Sequence, residues 1–236
     1  MIYLGDDKIG RLYLGSTEIG KAYLGSDLVF QKGGPTPPPP PPYDAEVEYL
    51  SCSGDQYIDT GLYGESGLDY EVNIYVQGVS ASVYYSVLGD RYSSSARRYT
   101  LLLYPRNVNA QHVYYNNGAQ QVATPASNTS TITGWHTYAK DGLDVYKDGA
   151  SVGSFTQESY ITPNTILLFA TRNDGVLSNP FTGRGGRCKF SKGGVLLRSF
   201  IPVRVGQVGY MYEEVSGLLY GNAGTGTFTL GPDVTQ

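Results

Sequence analysis

The stretch Gly134-Trp-His-Thr-Tyr-Ala-Lys-Asp-Gly-Leu-Asp-Val-Tyr-Lys-Asp-Gly-Ala-Ser-Val-Gly-Ser-Phe155 decides how the rest of the chain is read. Asp141-Gly142 and Asp148-Gly149 each interrupt a run that alternates apolar and polar residues. A two-residue loop needs positive φ at its centre, and Asp-Gly adopts it at little steric cost. The pattern predicts a three-stranded meander over Trp135–Lys140, Leu143–Lys147 and Ala150–Thr156. Trp135, Thr137 and Ala139 fall on one face of the first strand, and Leu143 and Val145 on one face of the second. His136 then faces the wet side or bonds locally. The meander points to an all-β domain.

Composition agrees. Apolar residues make up 40% of the 236-residue chain, enough for a sizeable core, while charged residues reach only 16%. Gly (31) and Tyr (22) are both abundant, as suits many turns and half-buried strand positions. The formal net charge is −4, and the basic residues form no run longer than Arg97-Arg98. Nothing in that pattern attracts a phosphate backbone or anionic lipid, so neither nucleic acid nor membrane insertion is expected. The opening Met-Ile-Tyr-Leu-Gly-Asp-Asp-Lys lacks the basic and then apolar pattern of a secretory leader, so cytosolic synthesis is expected. Cys52 and Cys188 leave two readings open, a single bridge or two buried thiols.

Residues 1–31 are an internal repeat. Ile2-Tyr-Leu-Gly, Leu12-Tyr-Leu-Gly and Ala22-Tyr-Leu-Gly place Tyr3, Tyr13 and Tyr23 ten residues apart. That period fits one strand and one turn, with strands over Lys8–Leu14 and Glu18–Leu24. Leu12, Leu14, Ala22 and Leu24 then share one face, and Tyr13, Ile19 and Tyr23 the other. A sheet this small is marginal alone, so these seven residues are expected to form an assembly element, a homotrimer or a dock onto a host structure. Packing back on the main domain is the competing reading. Residues 32–43 are a Gly/Pro-rich linker, whose Pro35–Pro42 in polyproline II would span about 25 Å at roughly 3.1 Å per residue.

From residue 44 to 236 the pattern is strand after strand. The expected strands are Glu46–Leu50, Gln56–Thr60, Leu68–Val76, Val83–Gly89, Tyr99–Tyr104, Gln111–Tyr115 and Gln120–Ala123. After the meander come Ile166–Thr171, Arg187–Lys192 and Val195–Val203. In Leu68–Val76, Tyr70, Val72, Ile74 and Val76 alternate with Glu71, Asn73 and Tyr75, as in a strand wet on one side. Many short strands with turn signals between them indicate two packed antiparallel sheets, a jelly-roll β-sandwich.

Glu48-Tyr-Leu-Ser-Cys-Ser-Gly-Asp-Gln-Tyr-Ile-Asp-Thr-Gly61, the Trp135-His136 strand with Val145-Tyr-Lys-Asp-Gly149, and Leu197-Arg-Ser-Phe-Ile-Pro-Val203 resemble concanavalin-A-like, laminin-G-like jelly rolls. Val208-Gly-Tyr-Met-Tyr212, Asn222-Ala-Gly-Thr-Gly226 and Leu230-Gly-Pro-Asp233 are similar to the version found in bacteriophage and prophage structural proteins of gut bacteria. The Tyr-Leu-Gly repeat is similar to N-terminal segments of such proteins. The resemblance implies a virion fibre or decoration protein, joined to other virion proteins through residues 1–31 and assembled in the host bacterial cytoplasm. It does not imply an activity, because this fold hosts lectins, glycanases and structural modules alike.

A glycanase needs two positioned carboxylates across a cleft. Glu46 with Glu48, and Asp69 with Glu71, alternate on strands, but a solvated strand face explains both, so no enzyme is expected. His112 and His136 have no Cys or His at ligand spacing. Some laminin-G-like domains bind Ca²⁺ at the rim, where Asp90, Asn173 and Asp174 would serve here, but no Asp-rich loop is present and no cofactor is expected. Glycan binding needs flat aromatic faces beside amides and Arg. Arg91, Tyr92, Arg97, Arg98, Tyr115, Asn116, Arg172 and Asn173 meet that need in expected loops. The expected function is display of a carbohydrate-binding jelly roll for attachment to host-surface glycan. A bacterial surface or secreted lectin-like module, or a structural virion domain without ligand, are the alternatives.

Overall fold

The computed structural model describes residues 3–4, 7–8, 12–14, 16–25, 27–31, 40–76, 85–91, 98–104, 110–116, 120–123, 133–154 and 161–235. The chain divides into two compact units, Met1–Pro41 and Pro42–Gln236. Most of the expected linker, residues 32–39, lies outside the described residues.

In the first unit β1 (Tyr3–Leu4) pairs with β2 (Asp7–Lys8), β3 (Leu12–Leu14) with β4 (Thr17–Ile19), and β5 (Lys21–Leu24) with β6 (Asp27–Gln31). Each ten-residue repeat is therefore a hairpin, rather than one strand and one turn. The expected strand over Glu18–Leu24 is broken by a bend at Gly20, between β4 and β5. Hairpin closure also moves Ile19. It pairs with Leu12 and so shares the face of Leu12 and Leu14, instead of the face of Tyr13. Leu14 and Leu24 are 77% and 75% exposed.

The second unit is all β. Its strands are β7 (Ala45–Glu46), β8 (Leu50–Ser53), β9 (Ile58–Glu65), β10 (Leu68–Val76), β11 (Tyr85–Arg91), β12 (Arg98–Tyr104), β13 (Ala110–Asn116) and β14 (Gln120–Ala123). The meander follows as β15 (Gly134–Asp141), β16 (Asp144–Lys147) and β17 (Ala150–Ser154). Then come β18 (Ile161–Leu168), β19 (Thr171–Asn173), β20 (Val176–Ser178), β21 (Thr182–Lys192), β22 (Val195–Val205), β23 (Val208–Glu213), β24 (Leu218–Tyr220) and β25 (Thr229–Leu230).

Among the described residues one sheet runs β17-β16-β15-β10-β21-β22-β23-β24, with β8 and β25 extending from the first half of β21 and β7 on β22. The second sheet runs β14-β13-β12-β11-β18-β9, with β19 and β20 beside β11. The pairing is antiparallel except between β11 and β19.

The core lies between these sheets. On β10, Leu68, Tyr70, Val72, Ile74 and Val76 are all buried, and they meet Val87, Tyr99, Leu101, Leu103, Ile166 and Leu168 from the other sheet. Each such large side chain contributes roughly 1.5–3 kcal/mol by leaving water. Phe169, which takes φ +69°, stacks on Phe181 at 6.2 Å and meets Phe228 edge-on at 6.0 Å.

The second meander turn is Asp148-Gly149, as expected, with both residues at positive φ (51° and 78°). The first differs by one residue. Asp141 pairs with Asp144, so the loop is Gly142-Leu143, with Gly142 at φ +56°. Leu143 accordingly sits in the turn, 39% exposed, while Val145 alone reaches the core. Elsewhere Glu46–Leu50 is not one strand, because Val47 bridges Asp233 and the ladder resumes at Leu50. The strand expected at Gln56–Thr60 begins at Ile58 and runs on to Glu65. Ile166–Thr171 is split at Phe169-Ala170, with β18 starting earlier at Ile161. Arg187–Lys192 is the second half of a strand that starts at Thr182.

Candidate functional site: an aromatic and arginine platform

β10 alternates cleanly, so Asp69, Glu71, Asn73 and Tyr75 point away from the core. At the Tyr75 end the register aligns five strands. Tyr75 lies opposite Trp135 on β15 and opposite Arg184 on β21, Arg184 is opposite Ser51 on β8, and Ser51 is opposite Thr229 on β25. Tyr49, two residues before Ser51, completes the group. The Trp135 ring is 5.6 Å from that of Tyr75 and 6.0 Å from that of Tyr49, both inclined. The Arg184 guanidinium lies 4.5 Å from the Tyr49 ring centre and 4.8 Å from the Tyr75 ring centre. Asn73 Nδ2 donates to Thr137 Oγ1 at 3.2 Å in the adjoining row.

Local chemistry fixes this arrangement. Inclined aromatic pairs gain about 0.5–1.5 kcal/mol beyond burial, and a guanidinium over a ring about 0.5–1 kcal/mol at an exposed site. Gly231 donates its N–H to Tyr49 O at 2.9 Å, and a Cβ there would meet Tyr49 Cγ at 3.0 Å, so only glycine lets the C-terminal segment pass so close to this tyrosine. Gly185 faces the core against Phe169, and Gly186 lies against Asn73. The β10–β21 register shifts between Gly185 and Cys188, and Arg184, opposite Tyr75, lies on the outward side. Trp135 remains 41% exposed, although it is held on two sides.

The expected site residues sit elsewhere. Arg91 and Asn173 pair in the parallel bridge between β11 and β19, with Arg172 adjacent. The Arg172 guanidinium is engaged within the domain. Nη2 donates to Asp59 Oδ2 at 2.7 Å, and Nη1 donates to Thr165 O at 2.9 Å and Oγ1 at 3.0 Å. Burial would raise the Asp59 carboxyl, but the bonds from Arg172 and Thr165 and the charge of Arg172 bring it below its ordinary value. Arg98 opens β12 and Tyr115 and Asn116 close β13, so Arg98 and Asn116 are strand residues rather than loop residues, and Tyr115 lies in the strand expected to end there. Tyr92 and Arg97 lie outside the described residues.

The alternating acids are engaged too. Glu46 takes Arg187 at 2.9 Å, Asp69 takes Lys140 at 3.0 Å, and Glu71 takes Lys189 at 3.6 Å. Asp90 is fully buried, accepting from Asn164 N and Nδ2, and burial pushes its carboxyl up. Asp174 turns outward at φ +54°. Among the described residues no three His, Cys, Asp or Glu side chains converge as a metal site. Of the two readings of His136, local bonding is the one the structure shows. His136 shares the side of Tyr138 and Lys140, with Nδ1 2.8 Å from Asp148 Oδ2 and Nε2 3.2 Å from Thr133 O. Cys52 and Cys188 are separate buried thiols, which burial pushes up.

Tyr49, Tyr75, Trp135 and Arg184 were not singled out by sequence. One signal was available: Tyr75 ends the outward series of a well-read strand. Arg184 gave none, because Gly183, Gly185 and Gly186 make its surroundings read as loop.

No protein-family model and no curated protein matches the chain. Among solved structures the chain is similar to the CBM40 module of the Ruminococcus gnavus IT-sialidase bound to α2,3-sialyllactose. The TM-score is 0.48 at 13% identity, covering 61% of this chain and 90% of that one. A second structure of the Ruminococcus gnavus IT-sialidase CBM40 gives a TM-score of 0.42 at 12% identity, covering 63% and 87%. Similarity of this degree assigns no residue a role here.

Proposed function

We propose that the Pro42–Gln236 unit is a lectin-like carbohydrate-binding module, with its glycan seated on Trp135, Tyr75, Tyr49 and Arg184. The observation that carries this reading is the large indole face left exposed while its neighbours hold it rigid. Sugars present C–H faces to flat rings and hydroxyls to polar groups at their edges, and a pre-ordered platform loses little side-chain entropy on binding. Asn73, Thr137 and Thr229 supply the polar edge. A glycan array probed with the full chain tests the reading. Retention of a restricted set of glycans, weakened about tenfold or more by Trp135→Ala, is expected from the loss of a central aromatic contact. Retention of none, or equal retention by the variant, would overturn it.

The exposure of Leu14 and Leu24 supports a second part of the proposal, in which residues 1–31 join the module to a larger assembly. A trimeric phage fibre or decoration protein attaching to a host-surface glycan fits both parts.

A further inference from the structure

Resting on that reading of the platform, we infer that the glycan is acidic and that Arg184 receives a carboxylate carried by its sugar ring. The described arginines of the sandwich differ in what they hold. Arg172 rests on Asp59 at 2.7 Å, Arg187 on Glu46 at 2.9 Å and Arg204 on Asp233 at 2.6 Å. Arg184 rests on two tyrosine rings and, among the described residues, on no hydrogen-bond acceptor. A guanidinium whose planar fork has no protein acceptor is left to water or a ligand, and a carboxylate matches the fork with two parallel bonds.

The local charge balance points the same way. Along β21 the next outward cations, Arg187 and Lys189, are each matched by an acid, Glu46 and Glu71. Among the described residues Arg184 is thus a charge without an acid partner in this row, where Trp135, Tyr75, Ser51 and Thr229 are the residues in register. Arg184 and Trp135 both pack on Tyr49 and Tyr75, so a sugar lying across the platform can carry an acid group toward the guanidinium. Arg is also the residue that suits this place, because a guanidinium held over the Tyr49 and Tyr75 rings keeps donors available to a ligand.

The test is affinity electrophoresis of the full chain in gels containing polygalacturonate, alginate, hyaluronan or polysialic acid, each compared with the same polymer after reduction of its carboxyl groups to alcohols. The inference expects at least one native polymer to retard the protein, and its reduced form to bind about tenfold or more weaker, since bonds to charged groups are the strong ones. Arg184→Gln should lose the same factor on the native polymer, so that it no longer binds the native form better than the reduced one, with Arg184→Lys in between. Should Arg184→Gln unfold, the native and reduced comparison on the unaltered protein still decides. Equal binding of native and reduced polymers, or neutral glycans bound on the array with Arg184→Gln unaffected, overturns the inference and leaves the glycan reading standing. Retention on dextran sulfate alone, abolished by moderate salt and indifferent to Arg184→Gln, marks nonspecific anion attraction and also overturns it. No retention on any polymer, together with a negative array, removes the glycan reading itself.

Discussion

Asp69→Ala should be far more damaging than the exposure of an outward strand position suggests. Asp69 Oδ1 accepts from Lys140 Nζ at 3.0 Å and from Gly142 N at 2.9 Å, and Lys140 Nζ also donates to Leu68 O at 3.0 Å. The Lys140 side chain is wholly buried and that of Asp69 only 15% exposed. Removing the carboxylate from a buried ammonium costs about 3–5 kcal/mol. Lys140→Met removes the charge with the volume kept, and leaves Leu68 O and Asp69 short of a donor, at about 1–3 kcal/mol. The double variant should therefore be more stable than Asp69→Ala alone. Urea and thermal unfolding followed by fluorescence of Trp135, the single tryptophan of the chain, would measure all three variants. At about 2–4 °C per kcal/mol for a domain of this size, Asp69→Ala should lower Tm by roughly 6–20 °C. A loss under about 1 kcal/mol, or a double variant no more stable than Asp69→Ala, would refute the reasoning from burial.

Three further outcomes follow from other parts of the molecule. Gly185→Ala drives a Cβ into the Phe169 ring and should cost about 1–3 kcal/mol or more, whereas Gly142→Ala meets no atom within 4 Å and should cost only about 1–2 kcal/mol for its positive φ; similar thermal unfolding of the pair would count against this packing. Burial would raise Glu213, but the Ser216 hydroxyl and the N–H groups of Ser199, Val215 and Ser216 bring it below its ordinary 4.5, so its stabilising effect is complete above that value and is lost as pH falls below it. Urea midpoints between pH 7 and 3 should fall less steeply for Glu213→Gln, and an unchanged slope would contradict that. Leu24→Asp and Leu14→Asp should dissociate a full-length oligomer in sedimentation, and a monomeric parent chain indistinguishable from its variants would end the assembly reading.

What was legible in the sequence was local. Leu68–Val76 was readable because its alternation is uninterrupted, and Asp148-Gly149 because both residues must take positive φ. The first turn slipped by one residue because Gly142 supplies positive φ as the first loop residue just as well as the second. The hairpin nature of the repeats was hidden because Gly20 looks like an ordinary strand residue until the pairing is known. The platform was illegible for a different reason. Tyr49, Tyr75, Trp135 and Arg184 are brought together by register alone, and no short window contains two of them. Conversely, Arg172 beside Asn173 looked like a ligand-facing pair, yet the partner of Arg172 is Asp59, 113 residues away.

The most direct test of the platform uses its own tryptophan. Trp135 is the single indole of the chain and lies at the proposed contact, so its fluorescence should respond to any glycan the protein retains. Titration of the full chain with that glycan should give a saturable change in emission. It should also protect Trp135 from quenching by acrylamide, with the same half-saturation as binding measured on the array. Saturable glycan binding that leaves both the emission and the acrylamide quenching of Trp135 unchanged would place the ligand elsewhere and contradict the account.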